Sequence, residues 1–244
     1  MEKIVIIGGT SGLGLSLAIE LRQRLNDSSI LIIGRNKPEA LCKKYNFDFH
    51  KIDLSLPNSN WKFCQNSNYI IYAAGVGKIS KFDEVEDEDI NKTISINATN
   101  VVQLINSKKK ELMSLDGCKI SVVTSIAGKI PSPLFAIYGA SKALVSSYIS
   151  SINIELKKEG SKNQIIEIAP GYIEGTSLYG KKTDLEKLHK ISKIILDNID
   201  KNKNIIIPEN EKMYLEIIEK AKKNPLEFGS ESYDYKNLKQ KERK

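Results

Sequence analysis

Tyr138 and Lys142 stand four residues apart, a spacing that lets a phenol and an ammonium group act together on one proton. Side chains at that spacing share one face of a helix, with Cβ atoms about 5–6 Å apart. An ordinary phenol has a pKa of about 10, so a nearby ammonium is needed to stabilise phenolate character at neutral pH. We therefore interpret Tyr138 as a general acid/base supported by Lys142. Two residues on a helix surface would give the same pattern.

Ser125 lies thirteen positions before Tyr138, directly after the apolar run Lys119–Thr124. That run predicts a β-strand, and open α/β sheets bind their ligands at the carboxyl ends of strands. The serine hydroxyl is therefore expected beside a bound substrate. A serine that only hydrogen-bonds the end of the strand is the alternative interpretation.

A glycine-rich turn follows the first apolar run and precedes a helical pattern; it comprises Gly8, Gly9, Thr10, Ser11, Gly12, Leu13 and Gly14. Glycines at its first, fifth and seventh positions permit a tight turn, close approach of a pyrophosphate to the backbone, and packing of the helix on the strand. The N–H groups and the dipole at the start of the helix favour an anion there. We therefore predict a dinucleotide-binding turn, although glycine-rich turns also occur without a ligand.

The residues after the second predicted strand indicate which dinucleotide is bound. Sites for NAD usually carry an acidic side chain there, which accepts hydrogen bonds from the ribose 2′-hydroxyl. Here the strand ends in Gly34 and Arg35, and a guanidinium is well suited to a 2′-phosphate. We therefore predict NADP as the cofactor and consider NAD less favoured. Asp53, followed by Leu54, is the candidate for the adenine contact, although an aspartate after a strand often caps a helix.

Positioning these residues requires strands and helices in alternation, and the sequence contains such a pattern. Short apolar runs predict strands at Lys3–Ile7, Ile30–Ile33, Phe47–Ile52, Tyr69–Ala73, Lys119–Thr124, Gln164–Ile168 and Ile205–Ile207. Amphipathic patterns predict helices at Leu13–Leu25, Asp87–Leu112, Tyr138–Lys158, Asp184–Ile199 and Glu211–Lys222. Because the strands are nearly continuously apolar, both faces of the sheet must be covered. The predicted fold is α/β, a Rossmann-like doubly wound parallel sheet of about seven strands in a single domain.

The predicted catalytic domain spans residues 1–222, and a polar, basic tail follows at 223–244. The tail breaks the alternating pattern after Asn224 and Pro225, and we expect it either to wrap around the domain or to be partly disordered. Its last nine residues contain five cations and one anion, and so account for much of the net charge of +7. A solvated basic tail is preferred over a nucleic-acid-binding arm.

Composition indicates a protein of the cytoplasm. No apolar run approaches the roughly 20 residues needed to cross a bilayer, and the N-terminal run is too short for a signal peptide. The three cysteines, Cys42, Cys64 and Cys118, are too few and too widely spaced to suggest a disulfide framework or a zinc site. His50 and His189 have no partner pattern. We therefore expect no metal, no membrane and no nucleic acid as partners.

The ordered set of glycine turn, serine and Tyr-x-x-x-Lys, with a Pro-Gly pair after the sixth strand, resembles the short-chain dehydrogenase/reductase family. The resemblance implies that Ser125 hydrogen-bonds the substrate oxygen and that Tyr138 is the general acid/base. It also implies that Lys142 orients the cofactor. Asn97 matches the helix asparagine that holds a water in the proton relay of that family. An asparagine bonded only to the backbone is the alternative for Asn97.

The same resemblance implies cofactor contacts at two loops whose main chain matters more than their side chains. The matching residues are Ala73, Ala74 and Gly75 after the fourth strand, and Pro170, Gly171 and Ile173 after the sixth. The first loop would flank the adenosine ribose, although two asparagines usual in the family are absent. The second would lie beside the nicotinamide. Thr176 arrives one residue later than the family pattern and is a weaker match.

The C-terminal third departs from the family's acyl-chain reductases, whose valine-aspartate-glycine-glycine strand is missing. The predicted helix Glu211–Lys222 stands there instead, which argues against a 3-oxoacyl carrier-protein reductase. The departure also leaves the tetramer interface common in the family in doubt. We therefore expect a homodimer through Asp87–Leu112 and Tyr138–Lys158, with a homotetramer as the alternative.

The predicted function is an NADP-dependent oxidoreductase that transfers a hydride between nicotinamide and a carbonyl or secondary alcohol. The substrate is expected to be a small polar oxo compound, such as a sugar or polyol derivative. The polar residues that favour it are Lys129, Ser132, Tyr172, Glu174, Ser177, Tyr179, Lys181 and Lys182. Three alternatives stay open: a 3-oxoacyl-type reductase, a relative of sugar-nucleotide dehydratases and epimerases, and a non-catalytic NADP-sensing protein.

Overall fold

A computed structural model of the chain describes residues 2–56, 60–114, 119–176 and 183–241. Within these ranges seven parallel strands form one sheet: β1 Lys3–Ile7, β2 Ser29–Gly34, β3 Asp48–Lys51, β4 Tyr69–Tyr72, β5 Lys119–Val123, β6 Ile165–Ile168 and β7 Ile205–Ile206. Their order across the sheet is β3-β2-β1-β4-β5-β6-β7. Each strand agrees with its predicted range within one residue at either end. The predicted doubly wound parallel sheet is confirmed.

Successive residues of a strand point to opposite sides of the sheet. Because the side chains on both sides are apolar, helices cover both faces. Within the described ranges they are α1 Gly12–Arg24, α2 Glu39–Tyr45, α3 Asp87–Ile94, α4 Asn100–Ser107, α5 Lys109–Met113, α6 Ala136–Lys158, α7 Leu185–Asp200, α8 Glu211–Lys223 and α9 Pro225–Lys241. In β1, Ile4 and Ile6 pack with residues of α1 and α7, whereas Val5 and Ile7 pack with residues of α4 and α6. None of these helices is long and apolar enough to cross a membrane.

The predicted helix Asp87–Leu112 is not continuous, so that prediction was wrong in extent. Its residues form α3, a π-helical turn at Ser95–Thr99, α4 and, after a short break, α5. Asn100 anchors the turn, because its Nδ2 donates to the Leu54 carbonyl at 3.0 Å and to the main chain at the start of the turn. Turns of this kind interrupt the regular helix and are frequent at functional sites. Here the turn contains Asn97.

The segment predicted as a polar tail contains α9. Pro225 occupies the first helical turn, where a proline sacrifices no hydrogen bond, and Asn224 Oδ1 accepts a hydrogen bond from the Glu227 N–H at 3.3 Å. α9 packs against α8 and against the loop at Pro131, which lies 3.7 Å from where a Cβ on Gly229 would stand. The C-terminal residues therefore return to the domain near the carboxyl ends of the strands.

We expect Gly14→Ala to lower the free energy of unfolding by about 1–3 kcal/mol, the usual range for overpacking. A Cβ on Gly14 would collide with the carbonyl oxygen of Gly8 and lie 3.1 Å from the Ala73 Cβ. Gly229→Ala is the matched control, because both glycines lie in helices and a Cβ there would meet only Pro131. That control should be neutral or slightly stabilising. Urea denaturation followed by circular dichroism measures both, and equal losses would contradict this account of Gly14.

Candidate active site

A cleft of about 610 Å³ opens at the carboxyl ends of the strands, around the point between β1 and β4 where the sheet order reverses. Most of the predicted site residues line it: Gly8, Thr10, Ser11, Gly12, Leu13, Arg35, Asp53, Leu54, Ala73, Ala74, Gly75, Ser125, Tyr138, Lys142, Pro170, Gly171, Ile173 and Thr176. Gly14 and Asn97 stand behind its wall, where they pack or bond the loops that form it. Residues far apart in sequence therefore meet at one edge of the sheet.

The glycine turn approaches the end of β4 so closely that only glycine fits at its first position. Gly8 has φ +81°, and a Cβ there would lie 2.5 Å from the Ala74 nitrogen. Its N–H donates to the Ile33 carbonyl of β2 at 2.9 Å. At the start of α1, the Gly12 N–H donates to Thr183 Oγ1 at 2.8 Å, a contact that the sequence did not predict. The Gly12 N–H therefore points out of the helix towards an oxygen acceptor, which is the direction that a contact with a bound phosphate would need.

Arg35 and Asp53 follow the neighbouring strands β2 and β3, on one side of the glycine turn. Asp53 Oδ1 accepts a hydrogen bond from the Ser55 N–H at 2.9 Å. Hydrogen bonds from Ser55, and to a smaller extent the charges of Arg35 and Lys92, hold the pKa of the Asp53 carboxyl below its usual value. Lys92 also lines the cleft and was not predicted. Two cations beside one carboxylate make this side of the cleft favourable for a further anion.

Asn97 joins the loop after β4 to α6. Its Oδ1 accepts from the Val76 N–H at 2.9 Å, and its Nδ2 donates to the Val76 carbonyl at 2.8 Å and to Ser141 Oγ at 3.0 Å. The Ser141 hydroxyl donates in turn to the Tyr138 carbonyl at 2.7 Å. Asn97 is buried, and these bonds clamp the cleft wall to the helix of Tyr138. The water-holding role implied by the family resemblance stays a prediction.

Tyr138 and Lys142 both lie on α6 and line the cleft. The Tyr138 ring stacks on Phe135, with ring centroids 4.1 Å apart and an interplanar angle of 18°. Lys142 Nζ lies 5.7 Å from the Tyr138 ring centroid and donates to the Val123 carbonyl at 2.9 Å. Burial lowers the pKa of Lys142 to about 8, because a cation loses solvation inside the protein. The phenol ring thus has both an aromatic ring and an ammonium group as neighbours.

Ser125 links the carboxyl ends of β5 and β6. Its hydroxyl accepts a hydrogen bond from the Ala127 N–H at 3.1 Å and donates to the Pro170 carbonyl at 3.4 Å. The second of these bonds is long, so the hydroxyl can exchange it for a better acceptor in the cleft. Ser125 is therefore held at the strand end with its hydroxyl available to a substrate oxygen.

A buried ion pair supports the strand ends behind Ser125, and the sequence analysis missed it. Glu167, buried in β6, accepts from Thr124 Oγ1 at 2.7 Å and from Lys129 Nζ at 3.2 Å. Lys129 also donates to Ser146 Oγ on α6 at 2.7 Å. We expected Lys129 to add polarity to the substrate pocket, whereas it is directed to Glu167. A single carboxylate inside an apolar strand was the available signal, because buried charges need partners.

The loop after β6 packs against α8. A Cβ on Gly171 would collide with the phenol of Tyr214, so close approach of α8 requires glycine there. The side chain of Ile173 is buried in the core. Thr176 Oγ1 donates to the Ile173 carbonyl at 3.2 Å, so its hydroxyl is engaged within the loop. The predicted substrate residues Ser177, Tyr179, Lys181 and Lys182 lie outside the described residues.

The cleft beside Tyr138 contains residues that the cofactor and catalytic predictions did not include. They are Lys78, Ser132, Phe135, Tyr172, Ser232 and Lys236. Ser232 and Lys236 come from α9, and Lys236 Nζ donates to the Pro133 carbonyl at 3.0 Å. No sequence signal identified these two, because the polar helix α9 has the composition of a solvated tail.

Comparison with known proteins gives one family. A family model described as short chain dehydrogenase matches residues 2–187. Similar curated proteins include an uncharacterised oxidoreductase of Saccharomyces cerevisiae, 26% identical over 70% of this chain and 59% of that protein. A very-long-chain 3-oxoacyl-CoA reductase of Laccaria bicolor is 25% identical over 78% of this chain and 58% of that protein. The chain thus spans less than two thirds of the length of these two relatives.

Solved structures share the fold. A short-chain dehydrogenase from Sphingobium yanoikuyae in complex with NADPH has a TM-score of 0.77 at 20% identity, covering 91% of this chain and 94% of that one. A short-chain dehydrogenase/reductase from Burkholderia phymatum in complex with NAD has a TM-score of 0.72 at 15% identity, covering 89% and 92%. At these identities the likeness establishes the fold, and it confirms the predicted Rossmann-like architecture.

Lys142→Met should shift the pH dependence of stability in a defined direction. Because burial lowers the pKa of Lys142 to about 8 from its ordinary 10.5, the unfolded chain binds more protons between these pH values. Wild-type protein therefore gains stability relative to Lys142→Met as pH rises from 8 towards 10.5, and the difference is constant below that window. Urea denaturation at pH 7 and pH 9 measures it, with Lys158→Met, an exposed lysine on the same helix, as control. A difference that does not change with pH would contradict the lowered pKa.

Proposed function

This chain belongs to the short-chain dehydrogenase family, and we propose that it is an NADP-dependent oxidoreductase that transfers a hydride between nicotinamide and a carbonyl or secondary alcohol. The observation that carries the proposal is the presence of Ser125, Tyr138 and Lys142 in one cleft with the glycine turn. A proton donor, a cation and a hydroxyl beside a main-chain anion site are the groups that such a reaction needs.

The residues of the cleft fit a dinucleotide. The approach of Gly8 to the end of β4 brings the main chain of the glycine turn to the cleft, and the pyrophosphate would replace Thr183 Oγ1 as the acceptor for the Gly12 N–H. Arg35 and Lys92 supply positive charge for a 2′-phosphate, which favours NADP over NAD. Lys142 would hold the ribose hydroxyls. When bound, the cofactor supplies or accepts the hydride.

Ser125 and Tyr138 act on the substrate oxygen. In the reductive direction both hydroxyls donate to the carbonyl oxygen, and Tyr138 releases its proton to that oxygen as negative charge develops. The Lys142 ammonium, 5.7 Å from the Tyr138 ring centroid, stabilises the phenolate that remains. Stacking on Phe135 and the hydrogen bonds of Asn97 hold the helix and the ring, which restricts the movement of the proton donor.

The proposed substrate is a polar oxo compound, such as a sugar or polyol derivative. Support comes from the polar residues that line the cleft beside Tyr138, among them Ser132, Tyr172 and Ser232. A 3-oxoacyl substrate is the alternative, because one relative is a very-long-chain 3-oxoacyl-CoA reductase. A protein that senses NADP without turnover is the other alternative, and reduction of a carbonyl compound by the wild-type protein distinguishes an enzyme from it.

Tyr138→Phe should reduce kcat/KM for ketone reduction by about 10²- to 10⁴-fold, because the proton donor is lost. The aromatic ring and its packing are kept. NADPH affinity, followed by nicotinamide fluorescence, should change little. Tyr148→Phe is the matched control, since Tyr148 lies on the same helix outside the cleft. Full turnover by Tyr138→Phe would remove the proposed role of the phenol. A wild-type protein that binds NADPH but reduces no carbonyl compound would favour the sensing alternative.

Arg35→Ala should weaken NADPH binding by roughly 10- to 100-fold, the loss expected for hydrogen bonds between charged groups, and leave NADH binding unchanged. The reason is that only NADPH carries the 2′-phosphate that a guanidinium binds. Titration with each cofactor measures the ratio of affinities. Lys37→Ala is the control, because Lys37 pairs with Glu39 at 2.9 Å and does not line the cleft. An equal loss for NADPH and NADH would refute the assignment of Arg35.

A further inference from the structure

α9 carries a lysine and a serine into the cleft from the C-terminal end of the chain. Ser232 and Lys236 are four residues apart on this helix, so they share one face, and both line the cleft. Lys236 Nζ donates to the Pro133 carbonyl at 3.0 Å. Pro133 stands two residues before Phe135, whose ring stacks on Tyr138. The ammonium group is therefore anchored to the loop that carries the stacking partner of the proposed proton donor.

The ammonium group of Lys236 has more N–H donors than the described residues use. It carries three N–H groups, and its hydrogen-bond partner within the described part of the chain is one main-chain carbonyl. No carboxylate in that part forms an ion pair with it. Lys78, which lines the same cleft, is by contrast paired with Asp89 at 2.6 Å. Lys236 is thus a cation that can accept a negatively charged ligand without breaking an ion pair.

Burial makes this arrangement unfavourable in the absence of a ligand. Lys236 is half-buried, and the lost solvation lowers its pKa to about 8. A desolvated cation is stabilised when an anion approaches it, since their attraction is stronger where water is excluded. The cofactor phosphates are assigned elsewhere, to the glycine turn and to Arg35 and Lys92. An anion at Lys236 would therefore belong to the second ligand of the cleft.

We propose that Lys236, assisted by Ser232, binds an anionic group of the substrate, so that the substrate class is an oxo compound bearing a carboxylate or phosphate. This inference rests on the proposed function, whose substrate it narrows. The anion would hold the substrate at α9, within the same cleft as Ser125 and Tyr138. Lys236 is a specificity-determining residue that binds the substrate away from the reacting carbonyl.

The test compares pairs of ketones that differ in one anionic group, reduced with saturating NADPH. Dihydroxyacetone phosphate against dihydroxyacetone tests a phosphate, and 4-oxopentanoate against its methyl ester tests a carboxylate. We expect wild-type protein to have the lower KM for the anionic member of at least one pair. Lys236→Met should raise that KM roughly 10- to 100-fold, with kcat little changed, because the contact is made equally in the ground and transition states. The KM of the neutral member should stay the same.

Two variants separate charge from folding. Lys236→Arg keeps the positive charge and should retain most of the preference for the anionic ketone. Lys222→Met removes an exposed lysine from α8 and should change neither KM. If Lys236→Met raises both KM values equally, the residue only holds α9 in position and the proposal is overturned. A wild-type protein that prefers the neutral ketones overturns it as well, while the proposed oxidoreductase function stands.

A measurement without turnover keeps the two proposals distinguishable. Inorganic phosphate or acetate, added to the NADPH-containing protein at constant ionic strength, should raise the Tm of wild type and of Lys236→Arg more than that of Lys236→Met. This outcome would support the anion site even if no ketone were reduced, a result that would contradict the proposed function instead. Equal shifts in all three proteins would overturn the anion site whatever the enzyme reduces.

Discussion

The close approach of β1 and β4 at Gly8 is the constraint from which the cleft follows. A positive φ at Gly8 turns the chain directly after the strand, and Ala74 occupies the space that a side chain would need. The two strands are neighbours, yet β1 leads to α1 on one face of the sheet and β4 leads to the π-helical turn and α4 on the other. Their loops therefore separate beyond this contact and leave an open edge between them. A larger residue at Gly8 would push the strand ends apart, and with them the anion cradle and the helix of Tyr138.

Asn97 connects the loop after β4 to the helix of Tyr138 through hydrogen bonds. The loop after β4 is bonded through Val76 to Asn97, and Asn97 is bonded through Ser141 to the main chain of Tyr138. A ligand that fixes the loop therefore also fixes the first turn of α6. Asn97 lies in the π-helical turn Ser95–Thr99, a type of turn that is frequent at functional sites. The proton donor and the cofactor cradle are consequently parts of one hydrogen-bonded unit.

The elements that sequence predicts here are those fixed by local rules. The central strands are buried on both faces and therefore nearly continuously apolar, which made β1, β2, β4, β5 and β6 recognisable within one residue at either end. One helical turn sufficed to pair Tyr138 with Lys142. The π-helical turn escaped prediction because it depends on Asn100 bonding Leu54, which is 46 positions away. The pair of Glu167 and Lys129 escaped it for the same reason. Hydrophobic periodicity contains no information about which polar side chains meet across the fold.

The C-terminal helix contradicts burial preferences in a way that its sequence alone could not reveal. In α9 the apolar side chains of Leu238 and Tyr235 are 62% and 64% exposed, whereas Lys236, between them, is turned towards the cleft and half-buried. Hydrophobic burial alone would favour the opposite arrangement, with the ring or the leucine inside and the ammonium in water. A solvated basic tail, the interpretation that net charge favoured, has no reason to adopt this orientation. The orientation is favourable if an anion enters the cleft, because the attraction then offsets the solvation that Lys236 has lost.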